Sequence, residues 1–167
     1  RSITHLRRLS GKAFEIWGKF YDLFKPLDEA VDFYLFQMPP QFTCVEGNLE
    51  RVRLFHHNTG LGPRMAVEFR HESCFNDEIA EWGRRMGLTV VSIDAPIATW
   101  IVETSGVIYL RMHGRTDWYG HEYSESELRE IVERIRSLDP VKVYVFFNND
   151  HWMLENARLM KILLEKH

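Results

Sequence analysis

Cysteine is scarce in this chain: Cys44 and Cys74 are the only two. They make no disulfide scaffold and match no zinc-type spacing, which reads as a protein of a reducing cytoplasm. No apolar run reaches the roughly 18 residues of a membrane span, so no membrane partner is expected. Positive charge is not in excess, since 21 Lys and Arg face 24 Asp and Glu, a net charge of −3. That balance removes the global basic footprint of a nucleic-acid binder and disfavours nucleic acid as a partner. A phosphate-cradling glycine loop, a dinucleotide fingerprint, a GxSxG elbow, HExxH and CxxC are all missing, which excludes the easiest enzyme assignments. There is no repeat, low-complexity tract or linker to mark a second domain.

What is present is ordinary globular composition, 45% hydrophobic and 27% charged over 167 residues. One domain with a sizeable core fits that length. Helical spacing puts Phe14, Trp17, Tyr21 and Phe24 on one face of segment 10–25, stopped by Pro26. Further helices are expected over 46–57, 76–86, 125–137 and 151–166. Ser124 and Glu127 form a capping box at the start of the fourth. Between them lie apolar runs of strand length at 31–38, 64–70, 88–94, 107–114 and 141–148; segment 97–105 is ambiguous. The runs hardly alternate, as in strands buried on both faces of a parallel sheet. The order predicts a parallel α/β architecture, either an open doubly wound sheet or a barrel, with five strands visible.

Ligands of such folds bind at the carboxyl ends of the strands. The residues expected there are Gln37, then Glu68 and Arg70, Asp94, Arg111 and His113 with Arg115 beyond, and Asn148 with Asn149. Residues two apart share a strand face, so Glu68 lies on one face with Arg70, and Tyr109 on one face with Arg111 and His113. The opposite face, Ile108, Leu110 and Met112, suits packing against helices. With the polar faces turned inward, Glu68, Arg70, Arg111 and His113 converge at one barrel end. Buried charges are costly unless paired or working, and a purely structural pairing of Glu68 with Arg70 or Arg111 stays open. Glu68, Asp94, His113 and Asp117 have the chemistry of divalent-metal ligands, though their spacing is not diagnostic. Gly114 allows close approach of backbone to a ligand, and Arg115 can clamp an anion. Residues 118–123 form an aromatic, polar loop suited to a lid or a stacking surface. Cys74 reads as a buried inert thiol rather than a nucleophile.

At these strand ends the sequence resembles the DUF72 (YecE-like) family of uncharacterised TIM-barrel proteins. The pieces are Ile3-Thr4-His5 with Arg7-Arg8-Leu9, Leu35-Phe36-Gln37-Met38-Pro39-Pro40, and Ala66-Val67-Glu68-Phe69-Arg70-His71 with Ser73. Tyr109-Leu110-Arg111-Met112-His113-Gly114-Arg115, Tyr123-Ser124, Val143 to Asn149 and Asn156-Ala157 follow in order. The resemblance implies a parallel (β/α) barrel of TIM type, incomplete here. Residues 1–167 would be a single barrel domain, the C-terminal two-thirds of the family domain. Family members carry roughly 60–80 further residues before the Thr4-His5 motif, enough for the first strands of a typical barrel. Asp150-His151-Trp152 departs from the small polar residues usual in the last loop.

The resemblance carries no reaction, because a fold does not supply function. The leading expectation is a cytoplasmic barrel enzyme, a hydrolase or lyase, binding an anionic or phosphorylated small ligand. Arg70, Arg111 and Arg115 would hold the anion; Glu68, Asp94 and His113 would handle protons. Gln37, Tyr123, Asn148 and Asn149 would orient the ligand. The alternatives are a metal-dependent phosphodiesterase or nuclease, with a divalent metal as cofactor, and a non-catalytic binding module.

Overall fold

The computed structural model describes residues 1–165. It divides into two compact units, Arg1–Thr89 and the chain from Val90 onward.

In the first unit, α1 (Gly11–Phe24) is followed by β1 (Tyr34–Gln37), α2 (Glu46–Thr59), β2 (Met65–Glu68) and α3 (Asp77–Met86). Strand β3 (Thr89–Val90) lies at the boundary between the units, and its sheet order is β1-β2-β3. β1 and β2 run parallel, in a register that sets Gln37 beside Glu68. Of the aromatic stripe on α1, only Trp17 is buried, against Tyr34 and Phe36, while Phe14 and Phe24 remain exposed. Asn76 caps α3 by accepting from the Ile79 amide, and Gly87 ends it in the left-handed region that favours glycine.

At the amino ends of β1 and β2, the Asp28 carboxylate accepts from Tyr34 (2.7 Å), Tyr21 (3.1 Å) and Arg64 Nη2 (2.7 Å). Arg64, and after it Tyr34, hold the Asp28 carboxyl well below its usual range. Burial, then the bond to Asp28, pushes the Tyr34 hydroxyl up to about 12.

The cysteines correct an expectation. Cys44 and Cys74 are not free thiols; they form a disulfide with Cα atoms 5.2 Å apart. The reason is topological. β1 and β2 are parallel neighbours, so the loops leaving their carboxyl ends run side by side, and the two cysteines sit one on each.

In the second unit, β4 (Ser92–Ala95) turns through Pro96-Ile97 into the antiparallel β5 (Ala98–Trp100). Then come β6 (Val107–Met112), α4 (Glu125–Ser137), β7 (Lys142–Phe147) and α5 (Met153–Glu165). The sheet order is β5-β4-β6-β7, with β4–β6 and β6–β7 parallel. The ambiguous segment thus holds a hairpin strand, and the single run 88–94 is two strands, β3 and β4, in different sheets. Seven strands stand where five were visible in the sequence. Among the described residues these are two open sheets, parallel and mixed, and no sheet closes.

The core of this unit is the predicted apolar face of β6. Ile108, Leu110 and Met112 pack on Leu128, Ile131, Val132 and Ile135 of α4 and on Met160 and Leu163 of α5. α4 starts with the expected capping box, Ser124 accepting from the Glu127 amide and Glu127 accepting from the Ser124 amide. No described helix is long and apolar enough to cross a membrane.

Candidate functional site

The parallel strands of the second unit all point their carboxyl ends the same way, and the predicted polar residues gather there. Asp94 on β4 is completely buried. Its Oδ1 accepts from the Tyr123 hydroxyl at 2.8 Å, and its Oδ2 from Arg115 Nε at 3.0 Å and Thr99 Oγ1 at 3.1 Å. The Tyr123 oxygen in turn accepts from the Gly114 amide at 2.9 Å. Burial and then the neighbouring Asp94 charge push the Tyr123 hydroxyl far above its ordinary range, so it stays a proton donor. Arg115 Nη1 donates to Glu130 of α4 at 2.7 Å. Burial works against the Arg115 charge, yet the bond to Glu130 and the charge of Asp94 outweigh it and raise its pKa. Glu130 is correspondingly lowered, mainly by its bond to Arg115.

His113 is fully buried at the end of β6. Its amide donates to the Asp94 carbonyl at 2.7 Å, which ties the ends of β4 and β6 together. Its ring lies 5.5 Å from Trp118 and 5.9 Å from Tyr119, centroid to centroid, so the aromatic loop stands over it. Arg111, on the face away from the helices, donates to Asn148 Oδ1 at 2.9 Å. Asn149 is buried and donates through Nδ2 to the His121 carbonyl (2.9 Å) and to Asn156 Oδ1 (2.7 Å). Asn156 also holds the Tyr123 backbone at both its amide and its carbonyl.

Loop 114–123 is therefore braced rather than loose. Gly114 has φ +105°, and a Cβ there would lie 2.4 Å from the Asp117 carbonyl oxygen, so only glycine fits. Tyr119 is held at φ +71°, a costly conformation for a bulky residue, with its amide on the His113 carbonyl at 2.7 Å. His121 bonds Glu127 at 3.0 Å, which links the loop to the α4 cap.

Among the described residues, Arg115 Nη2 and Asn149 Oδ1 are buried polar atoms without a hydrogen-bond partner. One is a donor and the other an acceptor. Native structures seldom leave such atoms unmatched without a functional reason.

The first unit holds the rest of the predicted set. Glu68, fully buried at the end of β2, pairs with Arg70 Nε, one of the two partners the sequence left open. Gln37 is its register partner on β1. His5 bonds Thr4 Oγ1 at 2.9 Å. Its pKa is lowered by burial, then by the nearby charges of Arg1 and Arg70. The predicted residues thus fall into two groups: Gln37, Glu68 and Arg70 in one unit, and Asp94, Arg111, His113, Arg115, Tyr123, Asn148 and Asn149 in the other. Among the described residues, no three His, Cys, Asp or Glu side chains gather to hold a metal ion.

Sequence reasoning missed Thr99 and Glu130, whose roles depend on a hairpin and a helix face that only the fold brings to Asp94 and Arg115. Asn156 carried a signal, as an amide inside an apolar helical pattern. A groove of about 640 Å³ lies between β7, α4 and α5, lined by Val143, Val145, Phe147, Met160 and Leu164 among others. None of the predicted site residues lines it.

An α/β protein with a polar cluster at the carboxyl ends of parallel strands is thus defined. The chain belongs to the family described as "Protein of unknown function DUF72", whose model matches residues 1–167. Among solved structures it is similar to a DUF72 family protein from Thermotoga maritima MSB8, with 29% identity and a TM-score of 0.83. That match covers 99% of this chain and 71% of the other. Two structures of a DUF72 family protein from Enterococcus faecalis V583 match at 20% and 22% identity, with TM-scores of 0.76 and 0.77. They cover 92% and 89% of this chain, which spans 66% and 67% of theirs. A search of the curated proteins finds no match.

Proposed function

We propose that the strand ends of the second unit bind an anionic, phosphorylated small molecule, with Arg115 as its principal contact. The observation that carries the reading is the state of Arg115. Two carboxylates anchor Nε and Nη1, while the buried Nη2 makes no hydrogen bond. A guanidinium aimed in this way, with one N–H edge unspent, suits an anion oxygen. Asn149 Oδ1 suits a hydroxyl or amide on the same ligand. Arg115 and Arg134 pair with Asp94 and Glu130, and Arg111 on β6 adds a further positive charge at the strand ends.

The roles divide accordingly. Asp94 has both oxygens engaged by donors, which favours orienting Arg115 and Tyr123 over shuttling a proton. His113 is the proton-transfer candidate in this unit and Glu68 the one in the first, beside Arg70 and Gln37. Arg111 and Asn148 supply the outer contacts. The reaction class in keeping with these parts is hydrolysis or elimination at a phosphorylated substrate. We place the protein in the cytoplasm. We also take its alternating strands and helices as part of one (β/α)₈ barrel domain, in line with the strand–helix order and the family resemblance.

The test is a thermal shift titration with inorganic phosphate and small phosphate esters, against the variant Arg115→Lys. Saturation at 100 times Kd adds about 2.7 kcal/mol. At roughly 2–4 °C per kcal/mol this raises Tm by about 5–10 °C. The rise should vanish in Arg115→Lys, which keeps the charge and loses the fork. No rise in the parent, or an equal rise in both proteins, overturns the reading.

A further inference from the structure

We propose that the Cys44–Cys74 disulfide is a reversible redox site that accepts electrons from a dithiol and clamps the loops leaving β1 and β2. This stands apart from the anion-binding reading of the second unit.

The placement is the first argument. Gln37 and Glu68 are register partners at the ends of β1 and β2, and Met38 extends the pairing by donating its amide to the Glu68 carbonyl at 2.8 Å. The two chains then part, one running to Cys44 ahead of α2, the other through Arg70 and His71 to the short helical turn Glu72–Cys74. The disulfide closes them again. It therefore sets how far apart the two loops stand directly beyond the Glu68–Arg70 pair.

The second argument is that the clamp can open without unfolding the unit. Beneath it Met38, Phe42 and Phe69 are fully or almost fully buried, and Phe42 stacks on Phe69 at 6.2 Å. A hydrogen-bond chain also joins the loops: the Cys44 amide donates to Ser73 Oγ at 3.0 Å, and Ser73 Oγ lies 2.9 Å from His71 Nδ1. These contacts do not need the S–S bond. Cys74 is completely buried, whereas Cys44 is partly exposed, so Cys44 is the side from which a reductant would approach. The two cysteines of these 167 residues pair with each other, and the pair toggles between disulfide and dithiol.

The chemistry balances as ordinary thiol–disulfide exchange. A thiolate of the dithiol attacks Cys44 Sγ, the S–S bond breaks, and Cys74 leaves as a thiolate that takes a proton. The dithiol's second thiol then attacks the mixed disulfide and releases Cys44 as a thiol. The protein gains two electrons and two protons; the dithiol becomes a cyclic disulfide. In a reducing cytoplasm the clamp stands open, and oxidation closes it. Cytosolic disulfides are usually of this transient, sensing kind.

The experiment uses the full chain purified without reductant. Iodoacetamide labelling read by mass spectrometry should find no free thiol before dithiothreitol and two after it, under native conditions, with Cys44 labelled first. Oxidised glutathione should restore the unlabelled state. Reduction should speed chymotrypsin cleavage in segments 38–45 and 69–76 several-fold while far-UV circular dichroism stays unchanged. The double variant Cys44→Ser/Cys74→Ser should show the fast cleavage with or without dithiothreitol. Two labelled thiols before reduction overturn the proposal. So does a bond that yields only on denaturation, cleavage that reduction does not change, or a double variant cleaved as slowly as the oxidised protein.

Discussion

Glu68 and Asp94 are both completely buried carboxylates at the carboxyl end of a parallel strand, one in each unit, and each faces an arginine. They acquire it in different ways. The guanidinium beside Glu68 comes from Arg70, two residues along the same strand direction. The one beside Asp94 comes from 21 residues further on, and the tyrosine that shares the carboxylate from 29 residues further on. A pair of the first kind exists as soon as the strand does. A cluster of the second kind exists only when β4, the β6 loop and the start of α4 have all come together. Asp94 therefore reports on the braced loop 114–123, because any motion of that loop acts on its partners.

The largest effect should come from removing that carboxylate. Asp94→Ala leaves Arg115 facing only Glu130 and leaves the Tyr123 hydroxyl with only a backbone carbonyl 3.4 Å away. Breaking a buried charge pair from one side costs about 3–5 kcal/mol. In a chain of this length that is a Tm fall of roughly 6–20 °C. Asp94→Asn, which keeps an acceptor for Tyr123, should lose clearly less. A cost below about 1 kcal/mol for Asp94→Ala in a denaturant titration would mean that the cluster is loosely hydrated, in the manner of an exposed ion pair.

The same contrast explains which parts of the molecule were legible in the sequence. Period-two parity put Glu68 and Arg70 on one strand face and foretold the apolar face of Ile108, Leu110 and Met112, because both are properties of a single strand. The capping box at Ser124 was legible for the same reason, as two residues three positions apart, Ser124 and Glu127, decide it. Parity could not show that Val91 divides one apolar run into β3 and β4, since the choice of sheet depends on distant partners. Nor could it show that Pro96-Ile97 starts a hairpin, that Thr99 and Glu130 complete the surroundings of Asp94, or that Cys44 meets Cys74. Each of those needs two elements to arrive side by side. The candidate strand-end residues could be named because a parallel α/β order fixes the end of every strand at which ligands of such folds bind.

A third carboxylate sharpens the comparison from the other end of the strands. Asp28 sits before β1, partly exposed, among Arg64, Tyr34 and Tyr21. Its folded pKa is depressed well below the ordinary 3.8, chiefly by Arg64. The sign follows: the charged form is favoured in the folded state, so its stabilisation is complete above the unfolded pKa. It is lost as pH falls from about 4 toward the lower folded value. Asp28→Asn should therefore melt below the parent at pH 7, by less than Asp94→Ala. The gap should close progressively as the pH is lowered beneath 4. A gap that persists unchanged at pH 2 would assign the loss to packing or to neutral hydrogen bonds rather than to the charge.

The smallest effect belongs to the α4 cap, which separates helix stability from loop bracing. Ser124→Ala removes the acceptor for the Glu127 amide and should cost about 1 kcal/mol. It leaves the His121–Glu127 bond in place. Glu127→Ala removes the reciprocal half of the box and that bond together, so it cuts the tie between α4 and loop 114–123. If the loop is braced through this tie, both variants lose similar stability in urea, but only Glu127→Ala speeds proteolysis within residues 114–123. Equal cleavage of that loop in the two variants would show that Asn149, Asn156 and Gly114 hold it without help from the helix cap.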